Sequence, residues 1–272
     1  MEYIRPSDGM EARAILLNNP NAMVTAGGAE LTVTAGNGRT QPECVVDIGG
    51  IEATRVLRFD DRGLYIGVSC TCSEVMDFAP VREYYPGLYD ALSGLAACRT
   101  RDRAAVAGSL CKASPASDTA PILLAMGATL DVQGPAVWKK PLLELFAGAG
   151  ENSLSQGEFV LGINVPKPEE NERSRYYKKG KLKGEDMSVA SMAVVYIPDC
   201  KLRMGFGSVS DTPVLVTADD LFGEEDMRDR LLKRVLGSID PIMDANAARD
   251  DRIEAVRYFT LKVMDELEGR TI

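Results

Sequence analysis

The sequence predicts a protein of mixed helices and strands that is divided into two domains. Short apolar runs bounded by Gly, Asn and Asp predict strands, and apolar residues at helical spacing predict helices between them. The polar, proline-containing segment 167–173, KPEENER, predicts the boundary between the domains. After this boundary, alternating strands precede two amphipathic helices, so we expect the helices to pack on a sheet.

The composition excludes several classes of function. The 272-residue chain is 45% hydrophobic and 26% charged, carries a net charge of −9 and contains no histidine. An acidic chain without a dense Lys/Arg stripe is not expected to bind nucleic acid. The absence of histidine excludes Ser-His-Asp and Cys-His catalysis and the usual His-containing metal sites. Few enzymes could perform acid–base chemistry with the side chains that remain.

The cysteines and the apolar runs indicate the compartment. Six cysteines are scattered without a C-x-x-C pair, which favours reduced thiols over disulfides or a metal site. The first residues do not have the pattern of a signal peptide, and no apolar run reaches the length of a membrane span. The sequence therefore predicts a soluble, cytoplasmic protein.

Local patterns predict the elements of the first domain. Thr71 and Glu74 have the spacing of a capping box, which predicts the start of a helix. Residues 60–63 predict the turn of a hairpin between strands 56–59 and 64–68. Further helices are expected over 11–18, 86–97 and 119–126, with a helical turn at 142–146, and further strands over 22–26, 44–49, 128–132, from 137 onward and over 157–166.

In the second domain, alternation predicts strands over 188–197 and 202–209, and two helices follow. The basic residues between 175 and 183 are interpreted as a solvated face. The apolar stripes of the closing helices contain Met227, Leu231, Val235 and Leu236 in the first, and Ile253, Val256, Leu261, Met264 and Leu267 in the second.

Two loops could each approach a phosphate closely. Strand 22–26 runs into Gly27 and Gly28, where paired glycines permit positive φ and let successive N–H groups converge. The second loop, 104–109, is a turn of small residues, and Ser117 or Asp118 is the expected N-cap of the helix that follows. Free N–H groups beside a helix N-terminus suit a phosphate, although such turns also occur simply to close a loop.

The residues around the second loop resemble a known family. The stretch 101–118 is similar to the second flavin-binding segment of the FAD-binding subunits of molybdenum hydroxylases, the medium subunits of the xanthine dehydrogenase and carbon monoxide dehydrogenase type. The residues that keep the register are Arg101, Gly108, Leu110, Ala113, Ser114, Pro115 and Asp118. The residues that depart from the pattern are Asp102, Ala105, Ala107 and Ser109.

Other segments resemble the same family in the same order. Residues 24–31 are similar to its first flavin segment, with Ala29 where threonine is usual, and 157–166 are similar to the segment that places Val160 near the flavin. Core packing is the alternative role for Val160, and the two roles are compatible.

One lysine of the basic segment also belongs to the resemblance. Lys178 aligns with a lysine that lies near the flavin in the family, and Asp186 aligns with an aspartate of the same pattern. The arginine of that pattern is Leu182 here.

The resemblance implies an α+β fold. It implies an FAD-binding domain of the vanillyl-alcohol-oxidase/PCMH type over residues 1–166, with subdomains of about 1–52 and 53–166. It also implies a C-terminal domain over 167–272, an antiparallel sheet with helices, of the carbon monoxide dehydrogenase flavoprotein type.

The resemblance also implies the binding residues. The two loops would donate backbone N–H groups to the pyrophosphate of FAD, and Ser114 and Asp118 would lie nearer the sugar and ribityl hydroxyls. The implied cofactor-binding residues are Val24, Thr25, Ala26, Gly27, Gly28, Ala29, Glu30, Leu31, Ala105, Ala107, Gly108, Ser109, Ser114, Asp118, Val160 and Lys178.

The implied function is electron transfer within an oxidoreductase. FAD would pass electrons from [2Fe-2S] clusters on a small partner subunit to NAD⁺ or another acceptor, and a large partner subunit would hold the molybdopterin. Two alternatives remain open at this point: a non-catalytic assembly module with a degenerate flavin site, which the losses at Ala29, Ala105, Ala107 and Ser109 would allow, and a stand-alone flavin oxidoreductase.

Overall fold

The computed structural model of the chain describes residues 2–27, 42–181 and 187–269. Helix α1 (Gly9–Asn18) begins after Asp8, whose carboxylate accepts hydrogen bonds from the backbone N–H groups of Met10 and Glu11. The short strands β1 (Glu2–Ile4), β2 (Met23–Thr25) and β3 (Cys44–Asp47) form a parallel sheet with β3 in the centre.

A second sheet follows along the chain. The strands in this part of the chain are β4 (Leu57–Asp60), β5 (Gly63–Gly67), β6 (Thr129–Gln133), β7 (Val137–Pro141), β8 (Phe146–Gly148), β9 (Glu151–Asn152) and β10 (Phe159–Pro166). Strands β8 and β9 pair with each other, and the other five form one antiparallel sheet in the order β4-β5-β10-β6-β7. The hairpin that the sequence predicts around residues 60–63 is confirmed by the pairing of β4 with β5.

Short helices connect the strands of this second sheet. They are α2 (Cys72–Asp77), α3 (Ala79–Tyr84), α4 (Pro86–Ser93), α5 (Cys98–Arg101), α6 (Val106–Cys111) and α7 (Thr119–Ala125). The capping box at the start of α2 is confirmed, because the Thr71 hydroxyl accepts from Glu74 N–H and the Glu74 carboxylate accepts from Thr71 N–H. Every residue of α7 is buried, so this helix lies inside the core and not on its surface.

The C-terminal part is an antiparallel sheet with helices on one face. Strands β11 (Arg173–Gly180), β12 (Ser188–Ile197), β13 (Lys201–Gly207) and β14 (Val214–Thr217) pair in chain order. Helices α8 (Met227–Ser238) and α9 (Arg249–Leu267) pack on it, with Leu231 and Val263 in one cluster with Phe206. Along the described segments, no helix is long and apolar enough to cross a membrane.

The other face of this sheet lies directly on α7. Gly205 and Gly207 of β13 face Pro121, and a Cβ built on Gly205 would lie 2.0 Å from the carbonyl oxygen of Pro121. Arg203 donates from Nη2 to the carbonyl oxygen of Leu124 near the C-terminal end of α7 (3.4 Å). The arginine and glycines of β13 therefore hold the C-terminal sheet against α7, which follows α6 and the segment 112–118.

The structure corrects several local predictions. The basic segment that the sequence predicts to be a solvated face contains strand β11, whose backbone pairs with β12. The strand is not predicted because its charged residues obscure the alternation of polar and apolar side chains. The helix expected over 86–97 ends at Ser93. The buried face of α9 includes Ala255, Phe259 and Val263, and not Leu261. The expected domain and subdomain limits stay a prediction.

Candidate cofactor site

The first loop is in backbone contact with the second one. A Cβ atom built on Gly27 would lie 2.6 Å from the carbonyl oxygen of Arg103 and 3.5 Å from the backbone nitrogen of Ala105. Ala105 in turn forms an isolated antiparallel bridge with Thr71, immediately before α2. The structure thus brings together two loops that are far apart in the sequence, and only a glycine permits so close an approach.

Asp47 supports the first loop from the end of β3. Its Oδ1 accepts from Gly49 N–H (2.9 Å), and its Oδ2 accepts from the Tyr3 hydroxyl (2.6 Å) and from Arg5 Nε (2.8 Å). Burial alone would raise the pKa of this carboxyl, but the hydrogen bonds from Tyr3, Gly49 and Arg5 hold it below the ordinary value. A Cβ on Gly49 would lie 2.8 Å from the carbonyl oxygen of Ala26, so this turn packs against the loop. No role for Asp47 follows from the sequence patterns.

A cavity of about 650 Å³ opens where the loops meet. Its walls include Gly27, Thr71, Asp102 and Arg103. The Asp102 carboxylate accepts a hydrogen bond from the Ser73 hydroxyl (2.6 Å), so this departure from the family pattern is fixed in orientation. The volume lies in the range of pockets that bind small molecules and cofactors.

Helix α6 covers four of the six residues of the second loop, which corrects the predicted turn over 104–109. Ala107, Gly108 and Ser109 all belong to helix α6. Ala107 is buried, whereas Gly108 is exposed. Ala107, Gly108 and Ser109 are small, as expected, but their backbone N–H groups belong to a turn of helix and not to an irregular loop.

A group of hydroxyls joins α6 to the start of α7. Ser109 Oγ lies 2.9 Å from Thr119 Oγ1, and it donates to the carbonyl oxygen of Val106 (3.1 Å). Ser117 Oγ accepts from Ala120 N–H (3.3 Å). Of the two expected N-caps, Ser117 therefore makes the capping bond, and the Asp118 side chain makes none.

Asp118 pairs instead with two side chains of β11. Its Oδ2 accepts from Lys178 Nζ (2.8 Å), and its Oδ1 accepts from the Tyr176 hydroxyl (2.8 Å). The two charged side chains are only 10% and 14% exposed, respectively. Burial raises the pKa of Asp118 by more than Lys178 and Tyr176 lower it, and burial together with the Asp118 charge holds the pKa of Tyr176 well above its usual range.

Two expected site residues, Asp118 and Lys178, thus meet across the predicted domain boundary. Lys178 is not part of a solvated face, because its ammonium group also donates to the carbonyl oxygen of Gly94 (3.0 Å). Tyr176 is a further residue of this cluster that the sequence analysis did not assign. Its hydroxyl shares the carboxylate of Asp118 with Lys178, and alternation along a strand would have placed the two side chains on one face.

The remaining expected residues occupy different surroundings. Val24 is exposed and Thr25 buried on β2, and Ser114 Oγ accepts from Ala116 N–H (3.3 Å). Val160 is 2% exposed within the core of the second sheet, as the packing alternative expects. Gly28, Ala29, Glu30 and Leu31, as well as Leu182 and Asp186, lie outside the described residues.

Solved structures share this fold. Carbon monoxide dehydrogenase from Hydrogenophaga pseudoflava matches with a TM-score of 0.90 and 21% sequence identity over 100% of this chain and 98% of that one. Quinoline 2-oxidoreductase from Pseudomonas putida 86 matches with a TM-score of 0.87 and 19% identity over the same shares. The chain therefore has the α+β fold of the matching chains in these two structures, which confirms the predicted fold class.

The sequence comparisons add the family. A family model described as the FAD binding domain in molybdopterin dehydrogenase matches residues 1–168. The chain belongs to this family and is an FAD-binding subunit of the molybdopterin dehydrogenase type.

Curated relatives match along most of their length. The xanthine dehydrogenase FAD-binding subunit of Escherichia coli O157:H7 is 24% identical over 97% of this chain and 94% of its own length. The glyceraldehyde dehydrogenase medium chain of Sulfolobus acidocaldarius is 25% identical over 97% of both. The caffeine dehydrogenase subunit beta of Pseudomonas sp. CBB1 is 26% identical over 78% of this chain and 74% of its own length.

Proposed function

We propose that this chain is the FAD-holding, electron-transfer subunit of a molybdopterin-dependent hydroxylase or dehydrogenase. Its family membership and the backbone contact between the two loops support the proposal. Bound FAD would supply the link between single electrons from [2Fe-2S] clusters on a small partner subunit and an electron pair for NAD⁺ or another acceptor. A large partner subunit would hold the molybdopterin, and the names of the relatives favour an aromatic heterocycle or an aldehyde as its substrate.

The junction of the loops has room for part of a bound dinucleotide. The missing side chain of Gly27 lets the chain come close to Arg103, and the cavity beside them would accept part of a ligand of this size. The family match over residues 1–168 is the observation that carries the proposal, and the Gly27 contact supports it because it places the first loop at the cavity.

We assign roles to the residues accordingly. As the resemblance implies, the backbone N–H groups after Gly27 and those of Ala107 and Ser109 would bind the pyrophosphate. The Gly108 N–H donates to the carbonyl oxygen of Ala105 (3.1 Å), so it would join them only by giving up that bond. Ser114 and Asp118 would lie toward the sugar and ribityl hydroxyls, with Asp118 kept in place by β11.

Lys178 and Val160 would lie toward the flavin, the first as a positive charge and the second as an apolar contact. No proton transfer by a side chain is required of this subunit, because its residues bind and orient the cofactor. We place the complex in the cytoplasm, which the free state of all six cysteines supports.

The visible absorption spectrum of the purified chain tests the function. We expect a flavin band and, after denaturation, the release of close to one FAD per chain. A colourless protein that takes up no added FAD would instead favour the assembly module, and uptake only with partner subunits would mean that the complex completes the site. Oxidation of a small substrate by the FAD-loaded chain alone would favour the stand-alone oxidoreductase.

Replacing Gly27 with alanine is expected to weaken FAD binding about tenfold to hundredfold. The added Cβ would lie 2.6 Å from a backbone oxygen, so the two loops must move apart at a cost of about 1–3 kcal/mol. The measurement is the dissociation constant of FAD by flavin fluorescence titration.

Gly50→Ala is the matched control for this variant. Gly50 lies in the turn after β3, and a Cβ there would have no neighbour within 4 Å. We expect its FAD affinity to stay within about twofold of the unmodified chain. Equal FAD affinity in the Gly27 and Gly50 variants would contradict the assignment of the first loop.

A further inference from the structure

The loop after α4 points four consecutive carbonyl groups at two cations. Arg101 Nη1 lies 3.3 Å from the carbonyl oxygen of Ser93, 3.0 Å from that of Leu95 and 2.5 Å from that of Ala96. The carbonyl oxygen of Gly94, between them, accepts from Lys178 Nζ (3.0 Å). We call residues 93–96 the carbonyl loop.

The two cations belong to different elements of the fold. Arg101 ends helix α5 and leads into the second flavin segment, whereas Lys178 lies on β11 of the C-terminal sheet. The carbonyl loop also forms the C-terminal end of α4, whose last carbonyl groups lack partners within the helix and carry partial negative charge. Such an end attracts cations, so Arg101 and Lys178 are bound by the same physical feature.

The carbonyl loop is held in a conformation that its sequence does not favour. Ala96 has a φ of 44°, in the left-handed region, which costs alanine about 1–2 kcal/mol. The hydrogen bond from the charged Arg101 guanidinium to the Ala96 carbonyl oxygen offsets part of this cost. Without Arg101, the carbonyl loop would relax, and the Gly94 carbonyl would move with it.

We propose that Arg101 is a positioning residue for Lys178. By fixing the carbonyl loop, Arg101 fixes the Gly94 carbonyl, and Gly94 and Asp118 together hold the Lys178 ammonium group at one point. The inference rests on the proposed function, since the proposed role of Lys178 is to place a positive charge beside bound FAD. Arg101, which matches the family pattern, would thus act on the carbonyl loop and not on the second loop.

The proposal gives Arg101→Met a distinctive pH profile in the chain without FAD. Asp118 is faced by Lys178 and Tyr176 of β11. If Lys178 moves away, the buried carboxylate loses its counter-charge and is stable only when protonated. Arg101→Met should therefore lower the free energy of unfolding more at about pH 7.5 than at about pH 5. In the Asp118→Asn background, the effect of Arg101→Met should be the same at both pH values.

Urea denaturation at both pH values and FAD titration are the measurements. We expect Arg101→Met to weaken FAD binding about tenfold and Arg101→Lys, which keeps a cation, to recover most of the affinity. Arg203→Met is the matched control, because its guanidinium binds a carbonyl at the opposite end of α7 from Asp118. Its loss of stability should not depend on Asp118.

Three results would overturn the proposal, each in a different way. A pH-independent loss of stability in Arg101→Met, equal in the Asp118→Asn background, would leave Arg101 as a helix-end contact only. If the unmodified chain, alone or with its partner subunits, takes up no FAD, the proposed function fails and the role of Arg101 beside the flavin fails with it. If the chain binds FAD normally and Arg101→Met binds it equally well, only the positioning role fails.

Discussion

Replacing Lys178 with methionine is expected to lower the free energy of unfolding by about 3–5 kcal/mol at neutral pH. The substitution removes the ammonium group that lies 2.8 Å from the Asp118 carboxylate. The Lys178 and Asp118 side chains are only 14% and 10% exposed, respectively. Water would therefore not solvate the Asp118 carboxylate after the ammonium group is removed. Urea denaturation of the chain without FAD measures this loss.

The pH dependence of this variant follows from the same burial. Burial already raises the pKa of Asp118 from 3.8, and loss of Lys178 raises it further. A carboxyl whose folded-state pKa is raised contributes stability below its unfolded pKa and loses that contribution as the pH rises through the folded pKa. The destabilisation of Lys178→Met should therefore shrink as the pH falls toward 4, because the native state takes up a proton at Asp118.

The double variant Lys178→Met/Asp118→Asn is the control for this prediction. It removes both charges and keeps similar volumes, and replacing a whole buried ion pair is often nearly neutral. We expect it to recover most of the stability at neutral pH. A single variant that loses less than about 1 kcal/mol would show that the pair is solvated like a surface salt bridge.

Replacing Gly205 with alanine is expected to lower the free energy of unfolding by about 3 kcal/mol. Its Cβ would lie 2.0 Å from the backbone oxygen of Pro121 and 2.9 Å from the Pro121 Cα. Neither atom belongs to a flexible side chain, so β13 and α7 would have to separate and open the packing between them. Thermal and urea unfolding of the variant measure the effect.

Gly237→Ala is the matched control for Gly205→Ala. Gly237 lies in helix α8, and a Cβ there would have no neighbour within 4 Å. Alanine favours the helix over glycine by about 1 kcal/mol, so this variant should be as stable as the unmodified chain or slightly more stable. If Gly205→Ala unfolded at the same urea concentration as Gly237→Ala, β13 would not pack tightly on α7.

Several features follow from the sequence because they depend on neighbouring residues. The capping box of Thr71 and Glu74 uses a spacing of three residues, and it forms as expected. The hairpin of β4 and β5 follows from a turn between two apolar runs. The resemblance also identifies the family and selects Asp118 and Lys178 as site residues, although it assigns no contact between them.

Other features depend on segments that only the fold brings together. Strand β11 is difficult to predict because its charged side chains do not show the alternation typical of a strand. It is a strand because its backbone forms hydrogen bonds with β12, a contact that its side chains do not reveal. The helical turn over Val106–Cys111 is short, and its small residues have no periodic apolar pattern that would distinguish it from a loop.

The sequence by itself determined the class of the protein, the two loops and the candidate binding residues, since motifs and local spacings encode them. Only the tertiary structure decided how these residues are held. The pairing of Lys178 with Asp118, the carbonyl loop between Arg101 and Lys178, and the contact of Gly27 with Arg103 all join distant segments. Such contacts depend on how the sheets and α7 pack, and no pattern of neighbouring residues specifies that packing.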